Sequence, residues 1–215
     1  MSYYVTGMIH LQLYIVRHGQ TEFNIGEPRF RGQHDIPLSE IGIQQAEAIA
    51  IALKSIPLDA IYYSRLSRAK ITAKKIKQYH SNVLFIEEPN LITLNFGDWQ
   101  GKFHKDIFKT AEERKRWYTN PNTFIIPNGE TFYDILSRVH RLLGHLRYQT
   151  DKNHIALVTH RIVIIHILLY LFRLDPSHFW DFHVDTGSIT QIEYNLDKTF
   201  RLVKLNKTTH LGNLV

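Results

Sequence analysis

The chain has 215 residues, 44% of them hydrophobic and 21% charged, and it contains no cysteine. This apolar share excludes a disordered chain, and the missing thiol excludes a disulfide scaffold, a cysteine nucleophile and a cysteine-held metal. A net charge of +6, from 26 Lys and Arg against 20 Asp and Glu, lacks the long basic runs of a nucleic-acid coat, so the expected partner is a small anion such as a phosphoester and not nucleic acid.

Residues 1–12 have neither a basic start nor a long apolar run, so no secretory segment is expected. Residues 1–10 read as a leader, with Met8 an alternative start, ahead of a single domain over 11–215. The apolar stretch 155–172 is interrupted by His160, Arg161 and His166, which are costly in lipid. It reads as a strand followed by a buried helix. The expectation is a cytoplasmic protein without membrane contact, a monomer or a homodimer.

Residues 11–16, largely apolar, predict a central strand that ends at Arg17-His18-Gly19. A helix follows, with Ser39 as N-cap, Ala46, Ile49, Ala50 and Leu53 on its inner face, and Pro57 beyond its end. Residues 59–63 are a second strand. Ser67 then caps a helix whose inner face is Ala69, Thr72, Ala73 and Ile76, which puts Arg68 in its first turn. Residues 83–86 are a third strand. An inserted subregion over about 91–128 contains an irregular stretch and a mostly polar surface helix at 105–118. A long helix after Asn128-Gly129 presents Phe132, Ile135, Leu136, Val139, Leu143 and Leu146. Residues 155–159 are a fourth strand with a helix to about 172. Residues 188–194 and 200–205 are two strands joined as a hairpin through 195–198. The alternation predicts an α/β fold, with a mostly parallel central sheet covered by helices on both faces and an antiparallel C-terminal edge.

Sites in such sheets form beyond the carboxyl ends of the strands. Three strand ends here deliver Arg17-His18-Gly19, Arg68 and Thr159-His160. Two guanidinium groups suit a phosphoryl dianion, and glycine lets backbone N–H groups come close to it. A neutral imidazole is a competent nucleophile toward phosphorus, and neighbouring arginines keep it neutral. With arginines and a second imidazole carrying the charge, no metal or other cofactor is required. The indoles of Trp99, Trp117 and Trp180 are expected in the core or as loop anchors. His140, His145 and His154 are expected on helix surfaces, and His34, His104 and His210 near the mouth of the pocket.

The segment Leu13-Tyr14-Ile15-Val16-Arg17-His18-Gly19-Gln20-Thr21-Glu22-Phe23-Asn24 resembles the opening motif of the histidine phosphatase, or phosphoglycerate mutase-like, superfamily. Arg31-Gly32-Gln33-His34-Asp35, Ser64-Arg65-Leu66-Ser67-Arg68, Phe96-Gly97-Asp98-Trp99, Gly129-Glu130-Thr131 and Val158-Thr159-His160 resemble its later segments. Asp185-Thr186-Gly187-Ser188 and Leu205-Asn206-Lys207-Thr208-Thr209-His210-Leu211 are similar to the tail of its α-ribazole phosphatase branch. The resemblance implies the phosphoglycerate mutase-like fold and two-step phosphoryl transfer. His18 would be the nucleophile, and Arg17, Arg68 and His160 would hold the phosphoryl oxygens. Asn24, Gly19, Arg31, Gly32 and Arg161 are the substrate-binding candidates. The choice of His18 over His160 as nucleophile, and of α-ribazole 5′-phosphate as first substrate, comes from the resemblance alone.

Two positions depart from the family pattern. Thr93 stands where the family has a glutamate general acid. Either Glu130, Glu22 or Asp98 substitutes for it, or the substrate has a good leaving group, or the protein is a slow or inactive binder of phosphorylated ligands. Arg161 stands where small residues commonly follow the second histidine, and it either hinders the phosphate or contacts the substrate. The expected function is metal-independent phosphomonoester hydrolysis through phosphohistidine. The alternatives are mutase-type transfer, disfavoured because the Glu-Arg-x-Tyr-Gly element is absent, and the phospholigand-binding pseudoenzyme.

Overall fold

A computed structural model describes residues 9–147, 152–195 and 199–214. The first strand is β1 (Ile9–Arg17), which begins two residues before the expected start; residues 1–8 lie outside the described residues. Then come α1 (Glu40–Leu53), β2 (Ala60–Tyr63), α2 (Ser67–Lys77) and β3 (Leu84–Glu87). Two short helices follow, α3 (His104–Ile107) and α4 (Ala111–Thr119), and then α5 (Phe132–Arg147) and β4 (His154–Thr159). The chain continues with α6 (Arg161–Phe172), β5 (Ile189–Asn195) and β6 (Phe200–Lys207).

The strands form one sheet in the order β3-β2-β4-β1-β5-β6. The first four are parallel, and β5 and β6 run antiparallel, as expected. Both faces of the central strands are buried, because successive side chains point to opposite sides. Leu13 and Ile15 of β1, with Ile155 and Leu157 of β4, enter a core completed by α5 and α6. Tyr14, Val16, Ala156 and Val158 enter a second core, against α1 and α2. Each fully buried Leu or Ile contributes about 1.5–3 kcal/mol, so these two layers hold the sheet rigid beneath the site.

The register decides where the polar strand ends meet. Arg17 pairs with Thr159, and Tyr63 pairs with Val158. The next residues, His18, His160 and Ser64, therefore emerge side by side at the carboxyl edge. Residues of the inserted subregion, including Leu91, Leu94, Phe96, Phe108, Trp117 and Ile126, share the α5–α6 core.

Three local expectations change. The single helix at 105–118 is two helices, because Thr110 starts a new one: its Oγ1 accepts from the Glu113 amide at 3.1 Å, and Glu113 Oε2 accepts from the Thr110 amide at 3.2 Å. Nor is this segment purely surface, since Phe108 and Trp117 are buried. Ser67 opens α2 without capping it; its own amide donates to Asp35 Oδ1 at 2.7 Å, so a distant loop supplies the cap. His154 belongs to β4 and stacks on Tyr14, whereas His140 and His145 are exposed on α5. Of the hairpin turn at 195–198, residues 196–198 lie outside the described residues. Among the described residues no helix is long and apolar enough to cross a membrane.

Candidate active site

His18 leaves β1 with its backbone held on both sides. Its amide donates to Thr159 O at 3.0 Å, and its carbonyl accepts from the Gly187 amide at 3.1 Å. The ring Nδ1 lies 2.6 Å from Gly19 O. A carbonyl oxygen only accepts, so Nδ1 carries the proton and Nε2 keeps its lone pair. Burial pushes the His18 pKa well below its usual value, and the charges of Arg68 and Arg17 push it further the same way. The imidazole is therefore neutral at physiological pH, with one specified nitrogen able to attack.

His160 lies edge-on to His18, with ring centroids 5.0 Å apart. Its Nε2 is 2.8 Å from Ser64 Oγ. Its Nδ1 is buried without a hydrogen-bond partner among the described residues. Burial, Arg68 and His18 lower its pKa strongly as well. When the Ser64 hydroxyl donates to Nε2, Nδ1 carries a hydrogen for an anionic oxygen. Ser64 went unassigned in the sequence reading, although the segment carrying Arg68 begins with it.

The arginines are fixed through backbone carbonyls. Arg17 donates to Val184 O at 2.6 Å, and Arg68 donates to His34 O at 2.8 Å and Gly32 O at 3.0 Å. Arg31 donates to Phe23 O at 3.0 Å. Burial lowers Arg31 and Arg68 to about 10, helped by Arg161 at the first and by Arg31 at the second, so both stay charged at neutral pH. Asn24 Oδ1 accepts from the amide and hydroxyl of Thr21, at 2.9 and 2.8 Å, which turns the Asn24 amide donors the other way.

These groups surround a cavity of about 310 Å³. Of the expected residues, Arg17, His18, Asn24, Arg31, Gly32, Arg68, Thr93, His160 and Arg161 line it. Gly19 does not: its amide donates to Thr72 Oγ1 at 3.3 Å, and a Cβ there would sit 2.3 Å from Gly42 O. That glycine lets α1 approach the loop behind His18.

The three expected substitute carboxylates also lie outside the lining. Glu130 is committed to Arg138, with contacts of 3.0 and 3.1 Å, and accepts from the Asn95 amide at 2.8 Å. Asp98 accepts from Asn128, and Glu22 is exposed in a 3-10 turn. The cavity does contain Glu27, which the sequence reading passed over, but its Oε2 is 2.6 Å from Lys105 Nζ.

An aromatic wall completes the lining, with Phe30, Phe96, Trp117, Tyr118, Phe132, Phe179 and Trp180. Trp117 and Trp180 thus serve both as core anchors and as cavity wall. His104 also lines the cavity, whereas His34 and His210 do not. Burial, followed by Arg31 and Arg114, lowers His104 to about 4, so it is neutral near pH 7. The signal for this wall was the aromatic density of the inserted subregion. Among the described residues no three His, Asp or Glu side chains are grouped to hold a metal ion.

Comparison with known proteins gives the same answer. The histidine phosphatase superfamily (branch 1) profile matches residues 13–208. Phosphoserine phosphatase 1 of Hydrogenobacter thermophilus is 31% identical over 204 residues, covering 94% of this chain and 95% of its own. An adenosylcobalamin/alpha-ribazole phosphatase of Salmonella typhimurium is 30% identical over 184 residues, covering 85% and 90% respectively. The alpha-ribazole phosphatase of Shigella flexneri superposes with a TM-score of 0.82 at 29% identity, over 92% of this chain and 96% of that one. With two neutral imidazoles set among buried arginines at the strand ends, and a family match spanning nearly its whole length, the chain belongs to the histidine phosphatase superfamily and is an enzyme of that type.

Proposed function

We propose that the protein hydrolyses small phosphomonoesters without a metal, in two steps through phosphohistidine. The observation that carries this reading is the His18 ring, whose Nδ1 is tied to Gly19 O and whose Nε2 remains a lone-pair donor beside His160. In the first step Nε2 forms a bond to phosphorus and the phosphorus–oxygen ester bond breaks, its electron pair leaving with the oxygen. Arg17, Arg68 and His160 hold the phosphoryl oxygens, with Asn24 and Arg31 at the rim. In the second step water attacks phosphorus, the N–P pair returns to Nε2, and phosphate departs with both hydrogens of the water before it re-equilibrates with solvent.

The partner is a small phosphorylated metabolite. α-Ribazole 5′-phosphate is the first natural candidate, from the tail segments around Asp185 and Asn206, and phosphoserine is the second, from the relatives' names. Among the described residues the one carboxylate lining the cavity, Glu27, is paired with Lys105, which favours a second reading, a site that binds phosphoesters and turns over slowly.

The test is p-nitrophenyl phosphate turnover together with trapping of an acid-labile phosphoramidate on the protein. His18→Ala should lose more than about 10³-fold in kcat and all labelling, while still binding inorganic phosphate. Unchanged turnover, or label on another residue, would overturn the proposal. Vanadate binding by the wild-type protein without any turnover would select the second reading.

A further inference from the structure

The phosphate end of the cavity is over-supplied with positive charge, and its other end is short of acids. Arg17, Arg31, Arg68 and Arg161 all line it, against a phosphomonoester's two negative charges. Arg161 is the unusual member. It is the first residue of α6, where the helix dipole disfavours a cation. Its Nε is buried without a hydrogen-bond partner among the described residues. Its guanidinium stacks over Trp180, with Cζ 5.1 Å from the ring centroid. The acidic group acting on it, Asp185, already accepts from Asn206 at 2.8 Å and lies 2.7 Å from His183 Nε2. A partly buried cation placed this way is stabilised further by a negative charge that develops in the reaction.

Among the described residues that line the cavity, no carboxylic acid is free to protonate a leaving oxygen. Thr93 offers a hydroxyl, Glu27 is paired with Lys105, and the His104 ring is spent on Tyr118, with Nδ1 3.1 Å from the phenol oxygen. An alcohol, with a pKa near the roughly 15.7 of water, cannot leave readily as its anion, whereas a phenol, at about 10, can.

Resting on the phosphohistidine reading but displacing its two alkyl-ester candidates, we infer that this site is specialised for aryl phosphomonoesters, whose phenolate leaves unprotonated against the Arg161 guanidinium while its ring packs on the Trp180–Phe179 side of the cavity. His18 Nε2 bonds to phosphorus, the aryl–oxygen pair departs as phenolate, and the phenolate takes its proton from solvent after release.

The experiment is the rate of phosphohistidine formation, read in single turnover, over a series of substituted phenyl phosphates and over two alkyl esters, O-phosphoserine and α-ribazole 5′-phosphate. Phenyl phosphate should outpace both alkyl esters by about 10²-fold or more, and the aryl rates should rise steeply as the phenol becomes more acidic. Arg161→Gln should steepen that dependence, slowing phenyl phosphate roughly tenfold more than p-nitrophenyl phosphate. A structural role for Arg161 would slow both alike. Thr93→Glu should raise the alkyl esters by about 10²-fold and barely change p-nitrophenyl phosphate.

Equal rates for aryl and alkyl esters, with no dependence on phenol acidity, would overturn the inference and leave the phosphohistidine reading intact. An Arg161→Gln effect confined to KM for substrates with a second anionic group would also overturn it, by assigning Arg161 to that group. Failure of every ester to label His18 would instead overturn the reading on which it rests.

Discussion

The two halves of the cavity are built on opposite principles. The floor, proposed to hold phosphate, is polar and anchored to the backbone: its histidines follow β1 and β4, and its arginines reach carbonyls of Val184, Gly32, His34 and Phe23. The opposite wall is aromatic and held by ring packing, with Trp117 against Phe30, Phe132 and Trp180 at centroid distances of 5.3 to 6.2 Å. Directional contacts fix charge to a fraction of an ångström, as phosphoryl transfer demands. Ring contacts are weakly directional, so the wall's shape is set by packing and not by fixed bonds. Polar contacts that hold the wall include the Arg138–Glu130 pair, from which Arg138 also donates to Asn90 O, Ile92 O and Thr93 O. Here a carboxylate placed to look catalytic serves the loop that carries Thr93.

The largest effect beyond the loss of the nucleophile should come from that anchor. Arg138→Met leaves Glu130 without its cation and removes the donor from the carbonyls of Asn90 and Ile92, costing about 3 kcal/mol and lowering Tm by roughly 6–12 °C. Thermal unfolding measures it, and an unchanged Tm would mean that the wall stands without the pair. Gly19→Ala strikes the floor: its new Cβ would meet Gly42 O at 2.3 Å, so about 1–3 kcal/mol of stability should be lost, together with turnover. Gly144→Ala, on α5, is the contrast, because a Cβ there meets nothing within 4 Å, and it should stabilise by about 0.5–1 kcal/mol. If both substitutions behave alike, contact geometry is not what separates them.

Acid should act on both halves. Burial lowers His166, between Phe132 and Phe179, from 6.5 to about 4, and His18 and His160 are also lowered strongly. Above pH 6.5 these groups are neutral in both folded and unfolded chains, and they confer no pH dependence. Below it the unfolded chain takes up protons that the folded one refuses. Stability therefore falls, by about 1.4 kcal/mol per pH unit for each such histidine, until its folded pKa is reached. Denaturant midpoints across pH 4–8 test this sign. A midpoint that rises on acidification would contradict it. His166→Leu should flatten the slope by one histidine while leaving the catalytic acid limb in place. The smallest effect is expected for Asp35→Ala, which removes the cap of α2 at about 1 kcal/mol and loosens Arg68, weakening vanadate binding slightly.

Much of the floor was legible in the residues. Short apolar runs gave the strands, and polar residues at their ends gave Arg17, His18, Arg68 and His160 as a converging set. The wall was not legible, because its residues come from the loop after β1, the inserted subregion, the start of α5 and the turn Pro176–Asp181, which lack a common period. Glu130 shows the same limit: nothing in its neighbourhood says whether it faces substrate or Arg138, eight residues along α5.

By itself the sequence determined the order of strands and helices, the two-sided burial of the sheet and the cationic strand ends, because periodicity and local charge are properties of neighbouring residues. Only the tertiary structure decided which nitrogen of His18 is free, that Glu130 is taken by Arg138, and that Arg161 stacks on Trp180. Those facts depend on which remote groups share a few ångströms, and that distance is set by register and packing.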